Sequence, residues 1–230
     1  ISIVNFKNIK EIQVRFSQKL NCLIGDNGAG KTNLLDAVYY LSFCKSFFNS
    51  VDQLNINHDE NFFMINGNYK RSGSNEIITC GLQKGVKKQF KRNSKVYKKL
   101  SEHIGLLPLV MITPSDDTLI LGGSDERRKF MDGVISQYNQ NYLNDLLKYN
   151  RALLQRNNLL KQFVSQRFFD NELISVWDEQ LIEYGNRIHA ERTKFVEKLI
   201  PVFQYYYSFI SQDKEVVGLF HQSDLYEKKF

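Results

Sequence analysis

Three prolines, three cysteines and thirteen glycines are few for 230 residues. So little proline and glycine excludes a collagen-like or low-complexity chain. No apolar run approaches the roughly 20 residues of a membrane-spanning helix, so a helical span is excluded. Cys22, Cys44 and Cys80 are odd in number and far apart. They fit neither a disulfide framework nor a zinc spacing, and are expected as reduced core residues of a cytoplasmic protein. His58, His103, His189 and His221 lack a ligand-type neighbour in sequence, so structural or surface roles are expected for them. No signal peptide is expected ahead of Ile1. With Ile rather than Met first, the sequence is expected to start inside a longer gene product or after trimming.

What is present reads as globular. Hydrophobic residues make up 42% and charged residues 24%, enough for one large domain or two modest ones with a sizeable core. Lys and Arg outnumber Asp and Glu by 31 to 25, giving a net charge of +6. That excess suits a polyanionic partner without demonstrating one.

The chain changes character near Pro114. Before it, residues 1–6, 12–16, 20–24, 62–69, 76–82 and 86–92 read as strands, the last three as a meander. Its turns are expected at Ser72-Gly73-Ser74 and Lys84-Gly85. The apolar run 106–112 fits a strand buried on both faces. One helix is expected over 31–43, where Leu34, Leu35, Val38 and Leu41 keep helical spacing. After Pro114 the pattern is helical. Helices are expected from Asp125, capped by Ser124, to about Tyr138; from about Tyr142 to Phe163; and from near Asn171. The last carries a narrow seam, Ile174, Trp177, Leu181, Tyr184, Ile188 and Phe195, interrupted at Glu191. Pro201 marks a kink or stop. Two regions follow, 1–113 and 114–230.

One motif carries chemistry. Gly25-Asp26-Asn27-Gly28-Ala29-Gly30-Lys31-Thr32 fits G-x-x-x-x-G-K-T without a mismatch, between an expected strand and an expected helix. The glycines let the loop curl so that backbone N–H groups face phosphate oxygens, and the helix N-terminus adds partial positive charge. Lys31 can reach the β- and γ-phosphates, and the Thr32 hydroxyl can ligate Mg²⁺. ATP and Mg²⁺ are the expected cofactors. Such a loop also needs an acid for the metal and its water. Asp116 and Asp117 follow the apolar run 106–112 but come too late for a strand tip, and a capping role is preferred. Leu121-Gly122-Gly123-Ser124 has the look of an ABC-type signature loop, yet lacks the serine before the glycines, so a turn is preferred. No catalytic residue is assigned.

Basic residues form two further groups. Lys84, Lys87, Lys88, Lys91, Arg92, Lys95, Lys98 and Lys99 surround Phe90 and Tyr97. On a hairpin about half of them share a face; they suit phosphate neutralisation with base stacking, or simply a lysine-guarded edge. Arg127, Arg128, Lys129, Lys148, Arg151 and Arg156 fall on expected helices. From both groups Lys84, Lys87, Lys88, Lys91, Arg92, Arg127, Arg128, Arg151 and Arg156 are candidate DNA contacts.

Five blocks in order resemble the RecF family of bacterial DNA replication and repair proteins, relatives of the SMC-type ATPases. They are Asn5-Phe6-Lys7-Asn8, Thr113 to Asp117, Gly123 to Asp132 with Arg127-Arg128 and Phe130-Met131-Asp132, Tyr149 to Asn157, and Trp177 to Leu181 with Tyr184-Gly185. Three departures stand out. Ser46-Phe47-Phe48 replaces a Ser-His-Arg stretch, Asn93-Ser94 replaces an Asn-Gly turn, and Asp117 replaces a leucine. The resemblance implies an α/β fold: a P-loop ATPase lobe of ABC/SMC type, with a mixed sheet and antiparallel meander, followed by a helical second lobe. It implies an ATP-dependent homodimer that binds single-stranded or gapped DNA and acts with RecO and RecR to place RecA. Hydrolysis in the full-length dimer would be slow and serve release, and the cellular context would be cytoplasmic DNA damage, SOS response and replication. The family's acidic metal-site strand and signature loop lie further along than Phe230, so this chain alone is expected to bind ATP without turnover. A P-loop kinase acting on a small molecule is the alternative; DNA-stimulated turnover separates the two.

Overall fold

A computed structural model describes residues 1–226. The expected region 114–230 therefore ends with four residues outside the described ones. The chain folds as two compact units, one over Ile1–Thr113 and one from Pro114 onward.

The first unit is a sheet with one helix laid on it. Strands β1 (Ser2–Phe6), β2 (Ile9–Gln13), β3 (Phe62–Arg71), β4 (Ser74–Gln83), β5 (Gln89–Arg92) and β6 (Lys95–Val96) lie in the order β2-β1-β3-β4-β5-β6. Every pairing among the described residues is antiparallel. Alternation places the core: Phe63 stands opposite Leu82, Ile65 opposite Cys80 and Gly67 opposite Ile78, so inward side chains meet in pairs. The turns after β3 and after β5 use backbone that twists with the strands. Ser72 and Gly73 have φ of 48° and 81°, and Asn93 and Ser94 have 48° and 69°.

Helix α1 (Lys31–Phe43) covers the inner face with Leu34, Ala37, Tyr40 and Leu41 buried. Its Tyr40 ring meets Phe6 and Phe63 edge-on at 5.8 and 5.5 Å, a favoured aromatic geometry. His103 is fully buried beside them. Its Nε2 lies 2.6 Å from the Leu41 carbonyl and its Nδ1 3.0 Å from the Tyr97 hydroxyl. A carbonyl can only accept, so Nε2 carries a proton. Burial lowers its pKa, which favours the neutral ring. Cys44 and Cys80 are buried as expected, but Cys22 is exposed; burial pushes the Cys44 thiol up to about 12.

Two expected strands do not form. Residues 20–24 and 106–112 are assigned to no strand. Leu106 and Leu107 pack on the core, whereas Leu20, Ile24, Val110 and Ile112 are 80, 94, 73 and 82% exposed. An apolar run becomes a strand only where a neighbouring strand continues the ladder, and among the described residues neither run pairs with a strand. Strand β2 also sits three residues earlier than expected, and 86–92 narrows to β5.

The second unit comprises α2 (Thr118–Leu121), α3 (Ser124–Tyr138), α4 (Gln140–Gln166) and α5 (Asn171–Ser211). Helices α4 and α5 are antiparallel: Asn139, which caps α4, reaches Glu191, and Arg156 reaches Asp178. The Asp170 side chain caps α5 by accepting from Glu172 and Leu173 N–H groups. Ser124 is not the cap expected of it; Gly123 takes that position, with no side-chain cap bond. Pro201 does not stop α5, which runs on to Ser211. The seam's Ile174 and Ile188 are buried, with Tyr184 and Phe195 packed beside Ile188. Glu191 breaks the seam to accept from Asn139. No helix among the described residues is long and apolar enough to cross a membrane.

Candidate functional site

The glycine-rich loop occupies residues 25–30 and runs straight into α1. Its shape rests on glycine. Gly28 has φ 83° and Gly30 has φ 96°, backbone that an L side chain rarely adopts. Gly30 is also the helix N-cap, and its carbonyl accepts from Leu34 at 2.9 Å. The first N–H groups of α1 are therefore free of intrahelical partners and open at the loop.

Lys31 folds back across the loop. Its ammonium donates to the carbonyls of Gly25 at 2.7 Å and Asp26 at 2.8 Å. Those two bonds hold a positive charge against the loop in advance of any anion. Thr32, next along α1, is exposed. Among the described residues no group of three or more His, Cys, Asp or Glu could hold a metal. Thr32 presents its hydroxyl beside the loop, at the start of α1.

Beneath the loop lies a polar cluster that no sequence pattern announced. Asp36 on α1 is fully buried. It accepts from the Ser46 hydroxyl at 2.6 Å and the Phe47 N–H at 2.7 Å, and pairs with Lys7 at 2.5 Å. The residues at the family's Ser-His-Arg position are therefore fixed by Asp36. Phe47 and Phe48 remain partly exposed, with the Lys7 ammonium 5.4 Å from the Phe48 ring centre. A buried aspartate at a helical position that could equally face water gives no signal in sequence.

The candidate DNA contacts divide. Lys84 and Lys87 are exposed, and Lys91 partly so on the outer side of β5, opposite buried Phe90. Lys88 is a correction: its side chain turns inward, donating to Asp52 at 2.6 Å and the Cys44 carbonyl at 2.6 Å. Arg92 is forked onto Glu76 at 2.8 and 2.5 Å, with its side chain still 39% exposed. That guanidinium, with the Asn93 amide, holds the Glu76 carboxyl at about 2. On the helices, Arg127 donates to the carbonyls of Leu119 and Gly122, closing α2. Arg128 pairs with Asp125 and Arg156 with Asp178. Arg151 stands exposed on α4. Asp116 and Asp117 belong to the second unit, in a 3₁₀ turn that leads into α2, with Asp117 at the N-cap position. His189 and His221, 32 residues apart, stack at 5.7 Å, a pairing the sequence did not suggest.

The block containing Asp132 serves packing. Asp132 binds Arg192 through two bonds of 2.9 Å and accepts from the buried Tyr142 hydroxyl, tying α3, α4 and α5 together.

This lobe and loop place the chain in a class. It belongs to the AAA ATPase domain family, which matches residues 1–228. Within that class it belongs to the RecF family. It is 54% identical over 224 residues to the DNA replication and repair protein RecF of Bacteroides fragilis, covering 97% of this chain and 60% of that protein. It is 46% identical over 228 residues to RecF of Flavobacterium johnsoniae, covering 99% and 64%. A solved structure of the recombination mediator protein RecF with ATP, in the RecFOR pathway, superposes with a TM-score of 0.85 at 33% identity, covering 92% of this chain and 57% of that one. The chain thus spans about three fifths of the curated relatives' length.

Proposed function

We propose that this chain is the nucleotide-binding part of an ATP-gated DNA replication and repair protein. The observation that carries the reading is the Lys31 ammonium held across the glycine loop at the mouth of α1. Three features there favour an anion: a preset positive charge, a helix N-terminus, and backbone shaped by glycine. Residues 25–32 would cradle the phosphates of ATP, and Thr32 would ligate the accompanying Mg²⁺. Bound Mg²⁺ would neutralise charge on the phosphates. The relative with ATP and the family of ATPase domains support this choice of ligand.

The wider reading follows the relatives. The full-length protein would dimerise around ATP, bind single-stranded or gapped DNA in the cytoplasm and work with RecO and RecR, partners suggested by the RecFOR pathway of the structural neighbour, to place RecA. The γ-phosphate would favour the closed state alone, so its loss would bias reopening. The exposed apolar segments 20–24 and 106–112 support a lobe completed by further strands, on which the acid for metal and water would stand. The test compares ATP binding and turnover in this chain and in the full-length protein, with and without DNA. Binding by both, with DNA-stimulated turnover by the full-length protein alone, is the expected result. Turnover by the 230-residue chain at the full-length rate would refute the division and make Asp116 and Asp117 catalytic candidates.

A further inference from the structure

The turn between β1 and β2 is anchored more heavily than a hairpin turn requires. Asn5 and Lys7 both have positive φ, 54° and 53°, so the chain is bent there at a conformational cost. Three bonds hold it. The Lys7 N–H donates to the Asn55 carbonyl at 2.8 Å, the Lys7 carbonyl accepts from the Asn57 amide at 2.8 Å, and the Lys7 ammonium pairs with buried Asp36. The next residue, Asn8, is exposed and contributes nothing to the core.

Asn8 instead reaches the glycine loop, 20 residues along the chain. Its side chain lies 2.6 Å from the Gly28 carbonyl and 2.7 Å from the Asn33 side chain. A carbonyl only accepts, so Asn8 presents its Nδ2 to Gly28. Its Oδ1 must then face Asn33, which donates through its own Nδ2. The chain of donation runs one way, from Asn33 at the start of α1, through Asn8, to the loop, and each bond polarises the next.

The bonded carbonyl is one that sterics leave free. Gly28 has φ 83°, and a Cβ built there would meet nothing within 4 Å. The N–H at the other end of that peptide, on Ala29, makes only a 3.2 Å bond to the Asp26 carbonyl. Gly30, by contrast, is doubly required: beyond its φ of 96°, a Cβ there would come within 2.9 Å of the Asn8 Oδ1. Side chain and loop are fitted to each other.

We infer that Asn8 is a positioning residue of the nucleotide site, fixing the Gly28–Ala29 peptide so that the loop is formed before an anion arrives. The inference rests on the P-loop reading above. An unbuckled loop must be ordered at the moment of binding, which lowers affinity without unfolding the protein.

The test uses the full-length protein with Asn8→Ala, Asn8→Asp and Asn33→Ala. Two readouts are taken: MgATP affinity, and millisecond hydrogen exchange at the Ala29 amide without nucleotide. Asn8→Ala is expected to bind ATP about fivefold to tenfold more weakly, the worth of one such bond, to exchange faster at Ala29, and to melt within about 2 °C of the parent. Asn8→Asp cannot donate to Gly28 and is expected to be weaker still. Asn33→Ala leaves the Gly28 bond in place and should fall between parent and Asn8→Ala. Parental ATP affinity and parental exchange in Asn8→Ala overturn the inference. Faster exchange in Asn8→Ala while even the parent fails to bind ATP overturns the proposed function and leaves the buckle standing. A purely structural role would lower the melting temperature and leave both readouts unmoved.

Discussion

Lys88 donates to Asp52 at 2.6 Å across 36 residues of sequence, in a cluster closed by the Tyr40 hydroxyl, which donates to the same carboxylate at 2.5 Å. Only 11% of the Lys88 side chain is exposed. It also donates to the Cys44 carbonyl at the end of α1, so one ammonium ties β5's approach, α1 and the turn at 52–55. Removing one member of a largely buried pair strands the other. Because Asp52 keeps some contact with water, Lys88→Ala should cost about 2–3 kcal/mol, read as a lower urea midpoint. An unchanged midpoint would return Lys88 to the surface charges.

Lys31→Ala removes the charge and both bonds to the loop carbonyls. A charge-assisted bond to phosphate contributes roughly 1.5–3 kcal/mol, so ATP affinity should fall about tenfold to a hundredfold. Calorimetry on the full-length protein measures it. Equal affinity in mutant and parent would sink the assignment of the loop.

Stability should fall with acid in two stages. His103 is buried, and desolvation lowers its pKa. The unfolded chain then binds the extra proton more readily, so stability present above about pH 6.5 is lost as pH falls below it. Glu76 behaves likewise at lower pH: held at about 2 by Arg92, it contributes fully above its ordinary 4.5 and loses that contribution as pH drops toward 2. Melting curves from pH 8 to 3 check both. In His103→Asn the fall below 6.5 should shrink, leaving the part due to His221, whose pKa burial also lowers, and in Glu76→Gln the lower fall should vanish.

Much of the candidate site was legible. The loop and α1 rest on local signals, namely glycine spacing and helical period, and α1 spans the expected residues. Tertiary partners were not legible. Lys88 and Arg92 look like surface charges in a lysine-rich stretch, and only the fold brings Asp52 and Glu76 to them. The runs at 20–24 and 106–112 have strand composition, but composition cannot supply the neighbour that makes a strand. Pro201, a kink or stop by sequence, does not stop α5, for another reason. A proline removes one helix hydrogen bond, and a helix of 41 residues keeps enough others to continue.

The Asn93-Ser94 turn offers a gain in stability. Both residues have positive φ, yet they are not equivalent. The Asn93 side chain accepts from the Ile77 N–H at 2.8 Å and donates to Glu76 at 2.9 Å. Ser94 has φ 69°, which glycine adopts without penalty. Ser94→Gly should therefore stabilise by about 0.5–1 kcal/mol, whereas Asn93→Gly should destabilise by losing both bonds. A Ser94→Gly midpoint at or below the parent's would contradict this.

The final prediction concerns DNA, and the structure changes which residues carry it. With Lys88 turned inward and Arg92 forked onto Glu76, the candidate contacts left to carry it on the meander are Lys84, Lys87 and partly exposed Lys91. Lysines act as point charges rather than bidentate base readers, so binding through them should ignore base sequence and fall steeply with salt. Reversing Lys84, Lys87 and Lys91 to Glu should weaken the full-length protein's affinity for every sequence alike and flatten the salt slope. The melting temperature should stay near the parent's, because none of the three is buried. Lys88→Ala gives the opposite signature, lower stability with an unchanged salt slope. Parental affinity in the triple mutant would assign these lysines to guarding the sheet edge, and Arg151, exposed on α4, would then be the next position to reverse.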